Sequence, residues 1–315
     1  MTHAAQRALR MGATAVAAAV SMIGCATADH RAAPAPHAVF LIGDHEYRSE
    51  ESMPMLASIL ESEFGYRTSL CFARNELGEI APDRADHLDG LEAIASADVL
   101  VVFLRFRALP EQELAAVLGH TNRGRPVVGF RTSTHAFAYP DTSPLAEVAH
   151  SWHDQVFGTH WITHHGHFGD NLERLTAVAP ATSDHPILRG VAPFEAYSWL
   201  YHVQGGGDRI AGDDIEVLAH GTARKTSYAN DPRFPKTQPV AWTRSYKSQN
   251  GSRARVFFTT LGHPYDFREL SMRRLAVQGV LWALGRESAI PPLGARAEPP
   301  RGYEPSPSGE SRWSR

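Results

Sequence analysis

The chain has 315 residues, and its 31 Lys and Arg nearly balance its 34 Asp and Glu, which gives a formal net charge of −3 at pH 7. This balance excludes the basic field that nucleic-acid binding requires. Hydrophobic residues make up 43% and charged residues 21%, a composition typical of a folded globular protein. Two cysteines cannot build a disulfide framework, whereas 17 histidines are unusually many.

The first residues have the pattern of an export signal. Two arginines precede the apolar run 11–23, which is shorter than the about 20 residues of a membrane-spanning helix. We interpret residues 1–25 as a lipoprotein-type signal peptide whose Cys25 is lipidated after cleavage. Ordinary cleavage after Ala28 is the alternative. Both predict an exported, periplasmic protein, which in the first case meets the membrane only through its lipid anchor.

Composition divides the rest of the chain into three parts. Residues 26–37 form an Ala/Pro/His-rich tether, and residues 38–287 have the mixed composition of one folded domain without internal repeats. Six of the 21 prolines lie between positions 291 and 307, among Gly, Ser and Arg. Residues 288–315 are therefore predicted to be a disordered, Pro-rich tail.

The central part alternates strand and helix patterns. Unbroken apolar runs, of which 98–104 is the clearest, are typical of strands that are buried on both faces. The alternation predicts a single-domain α/β fold of the flavodoxin-like type, with a mostly parallel sheet, helices on both faces and a strand order that begins 2-1-3-4. The predicted strands are 38–43, 66–72, 98–104, 126–130, 175–178, 215–219, 240–243 and 256–260, and the predicted helices are 52–64, 88–95, 110–121 and 267–284.

Charged and imidazole side chains follow three of these strands, at the point where each strand ends. They are Asp44, His45 and Arg48 after the first strand, Arg105 and Arg107 after the third, and Arg131, Thr132 and His135 after the fourth. Because ligands of open α/β sheets bind beyond the carboxyl ends of neighbouring strands, we expect these side chains to converge on one pocket. By the same argument His263, after the strand 256–260, should join them. Any one of them alone is better explained as a solvated loop residue, whereas the set taken together favours a functional site.

Specific roles follow from side-chain chemistry. We interpret His135 or His263 as a general base, because a neutral imidazole accepts a proton near pH 7. Asp44 is expected to orient an imidazole, and His45 completes the candidate catalytic set. The candidate substrate-binding residues are Arg48, Arg105, Arg107, Arg131, Thr132 and His202.

Arg131 lies in the segment 129–133, a strand-to-helix turn of the kind where class I glutamine amidotransferases carry a nucleophilic cysteine. An arginine cannot form an acyl-enzyme, so cysteine amidotransferase chemistry is excluded. The guanidinium can instead bind a carboxylate, a phosphate or sugar hydroxyls. The alternative is a structural salt bridge to Asp44 or Glu46.

Six of the 17 histidines lie between positions 150 and 167. In an extended segment His165 and His167 point to one face and His164 to the other. With a third imidazole, these residues could bind zinc or manganese, or they could serve as hydrogen-bonding or acid/base groups. Candidates for the third ligand are His135, His202 and His263, and the aromatic residues that could stack on a sugar face or simply fill the core are Trp152, Trp161, Trp199 and Tyr201.

Several well-known sites are absent from the sequence. A Gly-x-Gly-x-x-Gly fingerprint after the first strand, a phosphate-binding loop and a Gly-x-Ser-x-Gly elbow all fail to occur. These absences argue against Rossmann-type dinucleotide binding, nucleotide hydrolysis and serine-hydrolase chemistry.

Seven separated motifs resemble the trehalose-utilisation (ThuA-like) family, and the chain looks closest to a secreted bacterial subgroup of it. They are VFLIGDHEYR (39–48), FLRFRALP (103–110), GFRTSTHAF (129–137), WITHHGH (161–167), DHPILRG (184–190), PVAWT (239–243) and RVFFTTLGH (255–263). The resemblance implies a glutamine-amidotransferase-like fold without the amidotransferase cysteine. It also implies a role in sugar catabolism, through disaccharides and their 3-keto derivatives. The sequence departs from the commonest family pattern in having arginine rather than histidine at position 131.

Two functions remain open at this stage. The first is an exported enzyme that acts on a disaccharide or its 3-keto derivative with histidine acid/base groups. The second is a non-catalytic carbohydrate-binding lipoprotein that serves a partner dehydrogenase or hydrolase. The first predicts imidazoles that converge in a deep cleft, and the second predicts an aromatic-lined groove without them.

Overall fold

The computed structural model describes residues 34–166 and 173–308, in which strands and helices alternate through the first half of the chain. That half contains β1 (His37–Gly43), α1 (Ser49–Phe64), β2 (Arg67–Phe72), β3 (Val99–Leu104), α2 (Glu111–Asn122), β4 (Val127–Phe130) and α3 (Ala146–Phe157). The second half is rich in strands, and it contains β5 (Thr163–His164), β6 (Thr176–Pro180), β7 (Phe194–Ala196), β8 (Tyr201–His202), β9 (Glu216–Ala223), β10 (Thr237–Lys247), β11 (Arg253–Thr259) and α4 (Leu270–Ala283).

One sheet of nine strands runs through these residues in the order β2-β1-β3-β4-β11-β10-β9-β6-β7. The five strands from β2 to β11 are mutually parallel, and the remaining four extend the sheet in antiparallel fashion. The predicted α/β fold and the order 2-1-3-4 are confirmed. Strands β5 and β8 form a separate two-stranded sheet.

Strand β1 is buried on both faces, which explains its unbroken apolar sequence. Phe40 and Ile42 pack in one hydrophobic core with side chains of α1 and α4. Val39 and Leu41 point to the opposite face and pack in a second core with α2 and α3. Because full burial of such a side chain contributes about 1.5–3 kcal/mol, both layers of helices stabilise this strand.

Helix α1 ends where the sequence predicts. Gly65 adopts a left-handed conformation with φ of 66°, and its N–H donates to the Glu61 carbonyl oxygen at 3.1 Å. Glycine pays no steric penalty in this conformation, which is why it commonly terminates helices. The helix predicted at 267–284 is shorter in the structure, because the 3-10 turn Pro264–Arg268 precedes α4.

Residues 288–308 differ from the predicted disordered tail. Ala295 and Ala297 are fully buried. The Ala295 N–H donates to Gln278 Oε1 at 2.7 Å, and Arg273 Nε donates to the Ala297 carbonyl oxygen at 2.6 Å. Polar side chains of α4 therefore attach this segment through its backbone. Composition alone gives no sign of such an attachment, because the tail itself lacks an apolar periodicity.

The last described residues return to the beginning of α1. The Ser306 N–H donates to Glu51 Oε2 at 2.8 Å, and Arg48 Nε donates to the Pro307 carbonyl oxygen at 3.4 Å. Residues 309–315 lie outside the described part of the chain.

The predicted signal peptide, including Cys25, also lies outside the described residues. Cys71 is buried, as its apolar neighbours predict. Within residues 34–166 and 173–308, none of the helices combines the length and the apolar character that crossing a bilayer requires.

Candidate functional site

A cavity of about 240 Å³ lies beyond the carboxyl ends of β1, β3 and β4. Residues that follow these three strands form one wall, and residues in and beside the small β5–β8 sheet form the other. The lining residues are Glu46, Tyr47, Arg105, Phe106, His135, Trp161, Thr163, His164, Trp199 and Tyr201. This is the edge of the sheet where a parallel α/β architecture places its ligands. Of the residues predicted from the strand ends, Arg105 and His135 line this cavity.

Arg105 and Glu46 form an ion pair on the cavity wall. Arg105 Nη2 lies 2.9 Å from Glu46 Oε2, and Nη1 donates to His45 Nε2 at 2.6 Å. Burial raises the pKa of Glu46, an effect that the Arg105 charge opposes. Burial and the same charge lower the pKa of His45, so this ring is neutral at pH 7. Its Nε2 can therefore accept the hydrogen bond from Arg105. Arg105 therefore presents a fixed cation to the cavity.

The imidazole of His135 lies among three aromatic rings. Its centroid is 4.8 Å from that of Phe106, 5.6 Å from that of Trp161 and 6.5 Å from that of Tyr201. Phe106 follows Arg105 in the loop after β3, with a left-handed φ of 51°, and it remains 38% exposed. These rings fix the orientation of His135 and give the cavity mostly apolar walls.

The Thr134 hydroxyl is the hydrogen-bond neighbour of His135 Nδ1. It lies 3.2 Å from the Arg131 carbonyl oxygen and 3.3 Å from His135 Nδ1, and it can donate its one proton to either. When it donates to the carbonyl oxygen it accepts from Nδ1–H, and Nε2 is then the nitrogen that can take up a proton. Burial and the nearby Arg105 lower the pKa of His135 well below its ordinary value, so the ring is neutral at pH 7.

Arg131 does not line the cavity and is fully buried beneath it. Its Nη1 donates to the carbonyl oxygens of Trp199 at 3.2 Å and Thr260 at 2.9 Å, and its Nη2 donates to the Tyr47 hydroxyl at 3.0 Å. The guanidinium carbon lies 4.2 Å from the Tyr47 ring centroid and 4.6 Å from that of Tyr201. The predicted substrate anchor is instead a support for two cavity-lining tyrosines.

Asp44 binds backbone rather than an imidazole. Its Oδ1 accepts from the N–H groups of Glu46 at 2.7 Å and Tyr47 at 2.6 Å, and its Oδ2 accepts from the Thr132 hydroxyl. Arg131 forms a salt bridge with neither Asp44 nor Glu46, which pairs with Arg105 instead, so the alternative role considered for that arginine is also wrong. Asp44 and Thr132 hold the turn after β1 in place, and through it Glu46 and Tyr47.

Arg107 and Arg48 also lie away from the cavity wall. Arg107 is buried and donates to the carbonyl oxygens of Arg105 at 2.8 Å and Arg84 at 2.7 Å. Arg48 lies 3.7 Å from Glu50 Oε1 at the exposed start of α1. Arg107 thus serves neighbouring loops, because turns at strand ends need donors for their carbonyl groups, whereas Arg48 interacts with Glu50 and the Pro307 carbonyl oxygen.

Two predicted histidines have structural partners. His263 Nδ1 accepts from the Tyr265 N–H at 3.1 Å and begins the 3-10 turn before α4. His202 is buried, with Nε2 at 2.9 Å from Asp208 Oδ2 and Nδ1 at 3.2 Å from Gln238 Nε2. Neither side chain is part of the cavity lining.

The histidine segment at β5 alternates between two faces, as predicted. His164 stacks on Trp199 with ring centroids 4.6 Å apart and lines the cavity. His165 points away and lies 2.7 Å from Thr226 Oγ1. In residues 34–166 and 173–308, no three side chains of metal-ligand type come together, and His167 lies outside the described residues.

Four aromatic residues were candidates for stacking on a sugar. Trp161, Trp199 and Tyr201 line the cavity, whereas Trp152 is buried in the core and packs edge-on against Phe157 at 5.4 Å.

Sequence reasoning assigned no site role to Glu46, Tyr47 or Phe106. Glu46 and Tyr47 follow β1 directly and Phe106 follows Arg105, so the strand-end rule that selected their neighbours applied to them as well. Glu46 was considered only as a possible salt-bridge partner of Arg131, and Tyr47 and Phe106 were given no role.

Comparison with known proteins identifies the family. The ThuA family model, described as trehalose utilisation, matches residues 23–283. A ThuA-like protein from Bacteroides uniformis is 17% identical with a TM-score of 0.50 over 80% of this chain and 93% of that one. A ThuA-like protein from Parabacteroides merdae is 15% identical with a TM-score of 0.52 over 88% of this chain and 98% of that one.

At these identities the solved structures support the fold alone, and no curated protein matches the sequence significantly. The family match spans most of the chain and includes every residue that lines the cavity. The chain therefore belongs to the ThuA family, whose description as trehalose utilisation implies a role in carbohydrate metabolism.

Proposed function

We propose that this protein is an exported enzyme of carbohydrate catabolism that acts on a disaccharide or its 3-keto derivative, one ring of which enters the cavity. The observation that carries the proposal is the combination of aromatic walls, the Arg105–Glu46 ion pair and the neutral His135 imidazole in one cavity. Aromatic faces pack against the C–H groups of a sugar, and charged groups orient its oxygens.

The volume supports a single ring as the buried part of the ligand. The cavity of about 240 Å³ is smaller than the about 300–1,000 Å³ typical of sites that take drug-sized molecules. A second sugar ring would therefore lie outside it. The indoles of Trp161 and Trp199 and the ring of Tyr201 offer the apolar surface on which the buried ring would stack.

The chemical step that these groups suit is removal of a proton from the carbon next to a keto group. The C–H bond breaks, the proton goes to His135 Nε2, and the electron pair moves onto the carbonyl oxygen. Arg105 would stabilise the resulting oxyanion, because a fixed cation in a water-poor cavity favours developing negative charge. Glu46 holds the guanidinium for this role at 2.9 Å.

A 3-keto sugar has to be supplied by oxidation of a sugar hydroxyl. We therefore propose a partner sugar dehydrogenase in the same compartment. The compartment follows from the N-terminal pattern, which predicts a periplasmic protein held at the cell envelope by lipid on Cys25.

The alternative is a carbohydrate-binding lipoprotein without catalysis. Its support is the same set of aromatic walls, which would bind a sugar equally well if no proton were transferred. The two functions differ in one measurable respect, which is exchange of a substrate C–H proton with solvent.

The deciding experiment uses purified mature protein and a panel of disaccharides and their 3-keto derivatives in D₂O. We expect deuterium at the carbon next to the keto group, together with a product, by NMR. Parallel samples with a chelator, and with added zinc or manganese, determine whether a divalent cation is required. Saturable binding by calorimetry without deuterium incorporation would contradict the enzyme and support the binding protein. Absence of both would contradict both functions.

A further inference from the structure

We propose that Phe106 and Trp161 form a second sugar subsite at the mouth of the cavity, where they stack on the disaccharide ring that the cavity leaves outside. The proposal rests on the proposed function, because that function supplies the two-ring ligand. It adds the residues that distinguish a disaccharide from a single sugar. Both side chains line the cavity.

The exposure of the lining residues shows which end of the cavity is open. Tyr47 and Trp199 are each 3% exposed and Tyr201 is 4% exposed, so these rings lie at the inner end. Phe106 is 38% and Trp161 is 40% exposed, although they line the same cavity. Phe106 and Trp161 therefore lie at the opening, where a ring that protrudes from the cavity would contact them.

The two exposed rings adjoin the same imidazole. Between ring centroids, His135 lies 4.8 Å from Phe106 and 5.6 Å from Trp161. Among the Phe, Tyr and Trp side chains that the structure describes, these two alone are exposed. Single exposed hydrophobic residues are ordinary on a protein surface, but a pair of aromatic rings at one cavity opening indicates contact with a ligand.

The backbone holds Phe106 at this opening in an unfavourable conformation. Its φ of 51° lies in the left-handed region, which is disfavoured for residues that have a Cβ atom. The Phe106 N–H donates to the His135 carbonyl oxygen at 3.0 Å, and the Arg107 N–H donates to the Ala136 carbonyl oxygen at 2.7 Å. A glycine would adopt this turn without strain, so the strained and exposed phenylalanine indicates a role in ligand binding.

Both rings are held in place before a ligand binds. The guanidinium carbon of Arg105 lies 4.6 Å from the Phe106 ring centroid. The Trp161 N–H donates to the Thr134 carbonyl oxygen at 3.2 Å, which joins this backbone to the turn that ends in His135. Side chains that are already ordered lose little entropy on binding. Their exposed carbon surface suits the C–H groups of a neutral sugar ring.

The test pairs each disaccharide of the panel with the single sugar that forms its buried ring, beginning with trehalose and glucose and with 3-keto-trehalose and 3-keto-glucose. Trehalose and glucose lack a keto group, so calorimetry measures their binding without turnover, and the keto pair gives kcat/KM. We expect Phe106→Leu and Trp161→Leu each to weaken disaccharide binding, and to lower kcat/KM for the keto disaccharide, by about 3–10-fold. Phe106→Leu should leave both values for the single sugars unchanged.

Two control variants accompany the test. Phe106→Tyr keeps the aromatic ring and should behave as the wild type. Leu77→Ala removes an exposed apolar side chain away from the cavity lining and should also leave every value unchanged.

The pattern across ligands separates a sugar subsite from a structural role of Phe106. If this ring served only to orient His135, Phe106→Leu would lower kcat for the keto disaccharide and the keto single sugar alike. An equal loss on both, a loss on neither, or equal wild-type affinity for each disaccharide and its single sugar would overturn the subsite. A wild-type protein that binds no sugar of the panel would contradict the proposed function, and the subsite with it. Disaccharide-specific losses without proton exchange would contradict the enzyme alone and support the subsite.

Discussion

Arg131 Nη2 donates a hydrogen bond to the Tyr47 hydroxyl at 3.0 Å, while the guanidinium carbon lies 4.2 Å from the centroid of the same ring. Tyr47 lines the cavity and Arg131 does not. A charge buried in this way is stable only while its hydrogen bonds are made. Arg131 therefore affects the cavity through the fold, which leads to a prediction about stability.

Arg131→Lys should lower the free energy of unfolding by about 2–4 kcal/mol. An ammonium group cannot reproduce the guanidinium geometry, so at least one of the Trp199 and Thr260 carbonyl oxygens loses its donor. Urea unfolding measures the change, and Arg123→Lys, at an exposed position, is the control. An unchanged midpoint with weaker ligand binding would restore Arg131 as a substrate anchor.

His135→Gln should reduce turnover by about 10²–10⁴-fold with the fold intact, because it removes the nitrogen that accepts the proton. Steady-state kinetics on the substrate identified by the panel gives the loss, and circular dichroism checks the fold. His220→Gln, on β9 and away from the cavity lining, is the matched control. Full activity of His135→Gln would rule out its role as base.

The buried carboxyl group of Glu50 should make the free energy of unfolding depend on pH. Burial raises its pKa from 4.5 to about 7. The native state thus binds more protons than the unfolded state between these pH values, and its free energy of unfolding falls as pH rises through them. At about 1.36 kcal/mol per unit, Glu50→Gln should gain about 1–3 kcal/mol at pH 8 and nothing at pH 4. Glu76→Gln, at an exposed position, is the control, and a gain that does not vary with pH would contradict the assignment.

Truncation after Ile290 should destabilise the domain by a few kcal/mol. It exposes surface that Ala295 and Ala297 cover and leaves Gln278 and Arg273 without their backbone partners. Truncation after Ser308 removes only residues outside the described part and should leave the melting temperature unchanged. Equal melting temperatures for both truncations would support the disordered tail that composition predicts.

Cys25→Ala should move the protein from the membrane fraction to the soluble fraction of its native host. The reason is that a lipoprotein signal requires this cysteine as the site of lipidation. Immunoblots of the two fractions, with a substitution of the alanine at position 28 as control, measure the distribution. A wild-type protein that is already fully soluble would favour ordinary cleavage after Ala28.

The parallel half of the fold was predictable because strands buried on both faces have unbroken apolar sequences. The strand-end rule also located the site, since Arg105 and His135 line the cavity. It could not separate side chains that face the cavity from those that bind their own turns. Asp44 accepts hydrogen bonds from backbone N–H groups, and Arg131 donates to backbone carbonyl groups. The dihedral angles of a turn determine which of its backbone groups need such a side-chain partner, and the sequence pattern does not give those angles. The composition of the tail likewise gives no sign of its attachment, because the hydrogen bonds that hold it are made by its backbone.

Arg131 begins the short turn after β4, with a left-handed φ of 39°. Arg131→Cys would place a thiol at that turn, but the Trp199 and Thr260 carbonyl oxygens would lose their donor. Each buried group left unsatisfied costs about 1–3 kcal/mol, against a total stability of about 5–15 kcal/mol. A thiol at this turn would therefore remove a substantial part of the domain's stability unless new donors for both oxygens were introduced together with it.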